Sequence, residues 1–244
     1  MKKFYFILLL FFIGKADPSF AQKNFLKGLT SGFSFFTSAN FITYSTIQVN
    51  PYSSDLAEKN SIVELKGGYG YGFTLKKRVF SDNFFIGIST EYYKSTDDGL
   101  KEYLTAETNT VAGRVSETVE MIPLEITSFF NIPQALENLN IYLGGGIGFY
   151  FGNRVKKFAG YETVTISRQP MAGIKVLTGV EYMLTPKFAL NLQFEFREAG
   201  FIVKSRFPNN NITIDGITYY FPQELNSKIY VDGLKISLGA GIYF

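Results

Sequence analysis

The chain contains neither cysteine nor histidine in its 244 residues. The first absence excludes structural disulfides, cysteine-ligated zinc and a lipid-modified cysteine behind a signal peptide. The second removes the side chain that most readily exchanges a proton near neutral pH, on which hydrolases commonly depend. A carboxylate with a raised pKa is the base that remains, and the reading is that the chain is not an enzyme and has no catalytic residues, metal site or cofactor. A third thing is missing: after the N-terminal segment no stretch carries apolar residues at helical spacing.

What is present begins with Lys2 and Lys3, an apolar run from Phe4 to Ile13, and Ser19-Phe20-Ala21 before Gln22. The run is too short to cross a membrane as a helix, and the small residues at 19 and 21 suit signal peptidase, so residues 1–21 are expected to be a signal peptide and 22–244 the folded domain. Removing Lys2, Lys3, Lys15 and Asp17 with that segment lowers the formal charge from +3 to about +1. Such a balance gives no reason to expect a nucleic-acid partner.

The rest of the chain is a series of period-two segments. The last is the clearest: Leu234, Ile236, Leu238, Ala240, Ile242 and Phe244 alternate with Lys235, Ser237, Gly239, Gly241 and Tyr243. A strand with lipid on one face and a polar lumen on the other must alternate in this way, and about 9–11 tilted residues cross a bilayer. Eight strands account for the sequence: about 29–43, 62–78, 84–93, 118–130, 140–152, 172–184, 188–199 and a closing strand ending at Phe244. In the first, Phe33, Phe35, Ala39 and Phe41 share the apolar face and Ser34, Ser38 and Asn40 the polar one, which Phe36 interrupts. In the second, Leu65, Tyr69, Tyr71, Phe73 and Leu75 are assigned outward and Glu64, Lys66, Gly68, Gly70, Gly72, Thr74 and Lys76 inward. Pro123, lacking a ladder donor, predicts a bulge or local irregularity in the fourth strand. Gly144, Gly146 and Gly148 on the inner face of the fifth leave space for larger side chains from elsewhere.

Connections near 81–83, 131–139 and 185–187 are short, and those near 44–61, 94–117, 153–171 and 200–228 are long. Short turns face the periplasm and long loops the outside, so both chain ends are periplasmic. Phe80, Phe84, Phe130, Tyr182, Phe188 and Phe244 gather at the short-turn end, as an interfacial aromatic girdle would. A soluble β-sandwich or lipocalin-like barrel also alternates. It would leave the glycine-rich, charged faces of these strands on its surface, whereas an eight-stranded antiparallel transmembrane barrel places them in its lumen.

Three segments carry a resemblance: Glu120-Met-Ile-Pro-Leu-Glu-Ile126, Gly179-Val-Glu-Tyr182 before a short turn, and Gly239-Ala-Gly-Ile-Tyr-Phe244. They resemble the small barrel proteins of the Gram-negative cell envelope grouped as PorT-like or "porin family" and, more remotely, the OmpX, OmpW and OmpA-barrel group. The resemblance spans the mature chain and implies an outer-membrane protein in contact with membrane lipid. It also implies insertion by the barrel assembly machinery, with Phe244 as the assembly signal. Barrel lipases, deacylases and proteases of that membrane generally use the histidine this chain lacks. A two-domain, wall-anchoring architecture is not expected, since no room follows the barrel.

Parity places ten charges inward: Glu64, Lys66, Lys76, Glu91, Glu125, Lys175, Glu181, Glu195, Arg197 and Lys235, five of each sign. Counted up from the periplasmic turns, Glu91, Glu125 and Glu195 lie six or seven residues into the wall and Lys175, Arg197 and Lys235 nine or ten. This predicts a carboxylate layer beneath a cation layer, on the order of 6–10 Å apart. The candidate lumen network is Glu91, Glu125, Lys175, Glu181, Glu195, Arg197 and Lys235. These charges either pair across a filled interior or form a gate in a narrow polar path.

In the final loop, Phe207 to Phe221 reads as a hairpin extension with Asp215-Gly216 as its two-residue turn, packed over the mouth or offering an edge to a partner. The sequon Asn211-Ile212-Thr213 carries no weight in such a loop. Two functional readings stand: a monomeric structural or surface-interaction barrel meeting an extracellular partner through its loops, and a narrow channel for small solutes or ions. A histidine-free enzyme is the third and least favoured.

Overall fold

A computed structural model describes residues 32–106, 109–136, 138–209, 211–214, 217–220, 222 and 224–244. The expected signal peptide, 1–21, lies outside the described residues, as does the Asp215-Gly216 turn. The elements in chain order are β1 (Phe33–Val49), α1 (Leu56–Lys59), β2 (Ile62–Arg78), β3 (Phe84–Ala106), β4 (Asn109–Leu136), β5 (Leu139–Phe158), β6 (Tyr161–Glu162) and β7 (Val164–Thr185). They continue with β8 (Phe188–Arg197), β9 (Gly200–Arg206), β10 (Asn211–Ile214), β11 (Ile217–Tyr220), β12 (Leu225–Tyr230) and β13 (Lys235–Tyr243).

Sequential antiparallel pairing runs β1-β2-β3-β4-β5-β7, then β7 to β8 and β9, and β8 and β9 to β13 and β12, both of which return to β1. Because β8 with β9 is one strand interrupted at Glu198-Ala199, and β12 with β13 one interrupted at residues 231–234, the sheet closes as an eight-stranded barrel. At the level of the lower strands closure leaves no edge around the ring, as a lipid environment requires of a β-structure.

Both strand breaks have a local cause. At Glu198 the chain bulges over β7, and a Cβ added at Gly173 would lie 1.7 Å from the Glu198 carbonyl oxygen, so only glycine admits that crossing. The Glu198 amide donates to Ile174 O at 2.9 Å, and the β7 register moves by one residue, from Lys175 opposite Arg197 to Pro170 opposite Phe201. The second break coincides with a reversal in β1 and β2. Ile42 is paired with Lys235 but Thr46 with Tyr230, and Thr43 and Tyr44 both turn outward. Below this level Asn40, Ile42, Gly68 and Gly70 are buried; above it Ser45, Ile47 and Leu65 are.

This reversal corrects two of the inward assignments. Glu64 and Lys66 are exposed on the outer face, and Leu65, assigned outward by parity, is fully buried inside. A period-two pattern read in one register cannot anticipate a place where two successive residues face the same way. Pro123 gives a second, partial correction: it points inward and the register of β4 with β3 is the same on both sides of it, so there is no bulge. The β3–β4 ladder is nevertheless interrupted there between Thr90–Leu124 and Tyr93–Met121, the local irregularity expected, and Thr90 Oγ1 donates to the Pro123 carbonyl at 2.7 Å. The third concerns the long loops, most of which are strand. β3 and β4 extend their hairpin to Ala106 and Asn109 with one shift between Asp97 and Leu100, and β5, β7, β9 and β12 also rise beyond the expected limits.

The outer face below the reversal is a largely apolar band that includes Tyr71, Phe73, Ile88, Leu124, Ile126, Ile147, Phe149, Ile174, Val176, Phe196 and Leu238, all exposed. Exposed apolar area on this scale is the signature of a protein dissolved in lipid. Phe80, Phe130, Tyr182, Phe188 and Phe244 stand exposed at the short-turn end, with Phe84 half-buried against the Phe80 ring 6.0 Å away. Phe244 also closes the barrel through its backbone: its amide donates to Phe33 O at 2.8 Å, and its carbonyl accepts from Gly32 at 3.0 Å.

Candidate functional site: the barrel interior

The interior is stacked in five layers. Nearest the short turns, Lys76 and Glu181 meet at 2.5 Å, and Tyr243 OH also donates to Glu181. The Lys76 ammonium is boxed by the rings of Phe36, Phe129 and Tyr142, each 4.4–4.5 Å from it. Cation–π attraction strengthens when the cation is desolvated, so these rings replace part of the water Lys76 has lost. Phe85 and Leu177 complete the layer.

The second layer holds six of the seven residues of the candidate network. Arg197 Nη1 lies 2.6 Å from Glu91, 3.6 Å from Glu195 and 3.7 Å from Glu125. Lys175 Nζ lies 2.6 Å from Glu125 and 3.4 Å from Glu195, and Lys235 Nζ lies 2.8 Å from Glu91 and 3.3 Å from Glu195. All six side chains are buried. The carboxylates accept further from Asn40 Nδ2 (2.7 Å, Glu91), Ser89 Oγ (3.0 Å, Glu125) and Gln193 Nε2 (3.1 Å, Glu195). Three carboxylates and three cations make the layer neutral, and each anion touches more than one cation. Such multiple pairing offsets the cost of burying the charges. The expected pair of separate charge layers is therefore one interleaved layer, because long lysine and arginine side chains reach down to the carboxylates. Glu181 stands apart from the other six, one layer nearer the periplasm.

The third layer is apolar: Ile42, Ile47, Leu65, Tyr93, Val119, Met121, Tyr150, Ala199, Phe201, Val203, Ile229 and Val231 form one buried cluster across the lumen. The Phe201 ring lies over Gly152, where an added Cβ would come within 2.2 Å of it. Above this, Arg154 donates to Glu117 through Nε at 2.9 Å and Nη2 at 2.6 Å and also to Ser227 Oγ, and Lys156 pairs with Glu102 at 2.5 Å. The fifth layer caps the mouth with Val115, Phe158, Phe207, Tyr219 and Leu225. Tyr219 belongs to β11, which pairs with β10 in the register Ile214 opposite Ile217, so the predicted terminal hairpin contributes to the cap.

Sequence reasoning missed the third layer. Of its β1 and β2 members Ile47 and Leu65 lie beyond the reversal, Phe201 and Val203 fall in what reads as the final loop, and Tyr93, Val119, Met121, Tyr150 and Ala199 sit at the extracellular ends of the expected strands. Val115, Glu117, Val119 and Met121 do alternate in the sequence with polar Ser116, Thr118 and Glu120, a signal pointing to a buried apolar face above the membrane level. Between the second and first layers a void of about 30 Å³, lined by residues that include Ser38, Asn40, Glu91, Glu195 and Ser237, has room for roughly two water molecules. No potential metal cluster of acidic residues occurs among the described residues.

No protein-family model and no curated protein sequence matches the chain. Solved structures do. Outer membrane protein OprG from Pseudomonas aeruginosa superposes with a TM-score of 0.59 at 13% identity, over 88% of this chain and 97% of that one. Neisserial surface protein A gives 0.46 at 14% identity, over 88% and 98%, and outer membrane protein W of E. coli gives 0.41 at 15%, over 88% and 99%. At such identities the likeness to OprG bears on fold alone. With the closed eight-strand ring, the lipid-facing band and the aromatic girdle, it makes this chain a small β-barrel of the outer-membrane type, seated in the outer membrane.

Proposed function

We propose that the protein is a closed, non-conducting, non-enzymatic barrel that serves the cell envelope structurally and meets an extracellular partner through its raised hairpins. The observation that carries this reading is the apolar third layer. Twelve packed, buried side chains lie between two neutral ionic layers, so an ion crossing the lumen would be stripped of water with no fixed charge to replace it. The extracellular half supplies the surface: β3 and β4 project well past the band, with Tyr103 exposed on the β3 arm. In this reading the protein is a monomer, reaches its membrane through the barrel assembly machinery with Phe244 at the recognised end, and needs no cofactor.

The competing channel reading is tested directly by single-channel recording of the refolded protein in a planar bilayer. The native chain is expected to be electrically silent. Phe201→Ala, which removes the largest side chain over the Gly152 seam, is expected to introduce discrete conductance steps. Native openings that change on Arg197→Ala or Glu195→Ala would refute the closed lumen and assign the second layer a gating role.

A further inference from the structure

The ladder between β5 and β7 stops partway up the wall. β5 and β7 are paired up to Tyr150 opposite Met171; beyond that point β5 continues along β4 to Phe158, whereas β7 runs along β9. Pro170, the next residue of β7, has no N–H to offer at the position where the ladder stops. The divergence opens a cleft of about 300 Å³ on the outer surface, lined by Tyr92, Ile122, Phe151 and Pro170 together with Glu120, Asn153 and Arg168. Phe201, packed over Gly152, separates the cleft from the interior.

Its position and its charge both point to a ligand. Beyond Ile122 and Phe151 the outer faces of β4 and β5 turn polar, with Glu120 and Asn153 the next outward residues toward the extracellular end. The cleft therefore straddles the boundary between hydrocarbon and headgroups in the outer leaflet. Lys94, beside it, is neutralised by Glu120 at 3.1 Å, and Tyr92 OH donates to the same carboxylate at 3.0 Å. Asn153 Oδ1 accepts from Thr165 Oγ1 at 2.7 Å, which leaves its amide nitrogen as a donor. Arg168 is exposed and its side chain has no hydrogen bond or ion pair among the described residues. An unpaired guanidinium above an apolar trough is complementary to a phosphate carried on an acyl chain.

We propose that this cleft binds one phosphorylated glycolipid of the outer leaflet, with acyl chain against Ile122, Phe151 and Pro170 and phosphate on Arg168 and the Asn153 amide. The volume suits a single chain rather than a whole lipid. The inference rests on the lipid-facing wall and stands independently of whether the lumen conducts.

The test is native mass spectrometry of the full chain in detergent with added bis-phosphorylated lipid A or its dephosphorylated form. One retained copy of the phosphorylated lipid is expected, and about tenfold weaker retention on dephosphorylation or on Arg168→Ala, with Arg168→Lys intermediate. Arg206→Ala, an exposed cation on β9 outside the cleft, is expected to change nothing. Equal retention of the dephosphorylated lipid would show a trough for neutral hydrocarbon only, and an equal loss with Arg206→Ala would show unspecific adsorption. Full retention by a folded Arg168→Ala protein would likewise overturn the site.

Discussion

Replacing Arg197 by methionine probes whether the charges inside the barrel are dry. The guanidinium lies within 2.6–3.7 Å of Glu91, Glu125 and Glu195 and is wholly enclosed. Methionine fills much of the volume but leaves three carboxylates facing only Lys175 and Lys235. Breaking a buried ionic cluster by removing one partner costs about 3–5 kcal/mol, because the surviving charge keeps its desolvation penalty without its counter-ion. With a guanidinium chloride m-value of roughly 2–6 kcal/mol/M, the unfolding midpoint should fall by on the order of 1 M. The assay is equilibrium unfolding in detergent micelles followed by circular dichroism, with the gel mobility of unheated samples as a second probe. Adding Glu91→Gln to Arg197→Met restores neutrality and is expected to recover at least half of the loss, a coupling within the range of about 0.5–3 kcal/mol seen for contacting residues. A cost below about 1 kcal/mol, or strict additivity of the two substitutions, would mean that the layer is hydrated and screened. The lumen would then be open to water at this level.

Other substitutions check other parts of the structure. Leu65→Ala is expected to cost about 2–5 kcal/mol in the same unfolding assay and Glu64→Ala no more than about 0.5, the reverse of what uniform strand parity would give. Gly173→Ala should abolish the heat-modifiable folded band because its Cβ meets the Glu198 carbonyl, whereas Gly145→Ala, whose Cβ would sit 3.6 Å from the nearest atom, should fold normally. Glu117→Gln leaves the Arg154 guanidinium buried beside a neutral amide and is expected to destabilise the barrel by about 3 kcal/mol, read as a lowered denaturation midpoint.

Strand number, direction and the lipid-facing side were legible because the bilayer imposes a severe rule on each residue it touches. Along β7 the sequence Ile174-Lys-Val-Leu-Thr-Gly-Val-Glu-Tyr182 sorts itself with little ambiguity, and Lys175 and Glu181 lie inside as that sorting places them. Above the hydrocarbon the rule lapses. Lys94, Thr96 and Asp98 face water on the outside of β3, so this arm offers no apolar outer face and reads as loop, although Tyr93, Ser95 and Asp97 are buried behind it. The charge network was legible as a set of residues but not as a geometry. Backbone position alone does not reveal how far a lysine side chain descends, and Lys175 reaches Glu125 on a strand that is not its neighbour.

The reversal in β1 and β2 has a consequence for how far the molecule sinks into its membrane. Across that level, the outward residues change from Tyr69, Ile122 and Phe151 to Lys66, Glu120 and Asn153, while the inside changes from charged to apolar. The lower half is thus built for oil outside, and the upper half, like a water-soluble protein, hides its oil within. Lowering the barrel by a few ångströms would drag Lys66, Lys94 and Glu120 toward hydrocarbon, and raising it would strip lipid from the aromatic residues beneath. Each charge moved to mid-bilayer costs about 2–4 kcal/mol and progressively less near the interface. The waterline is written into the wall as a sharp exchange of polarity, so insertion stops at a fixed depth, and the extracellular hairpins stand at a set height above the cell surface.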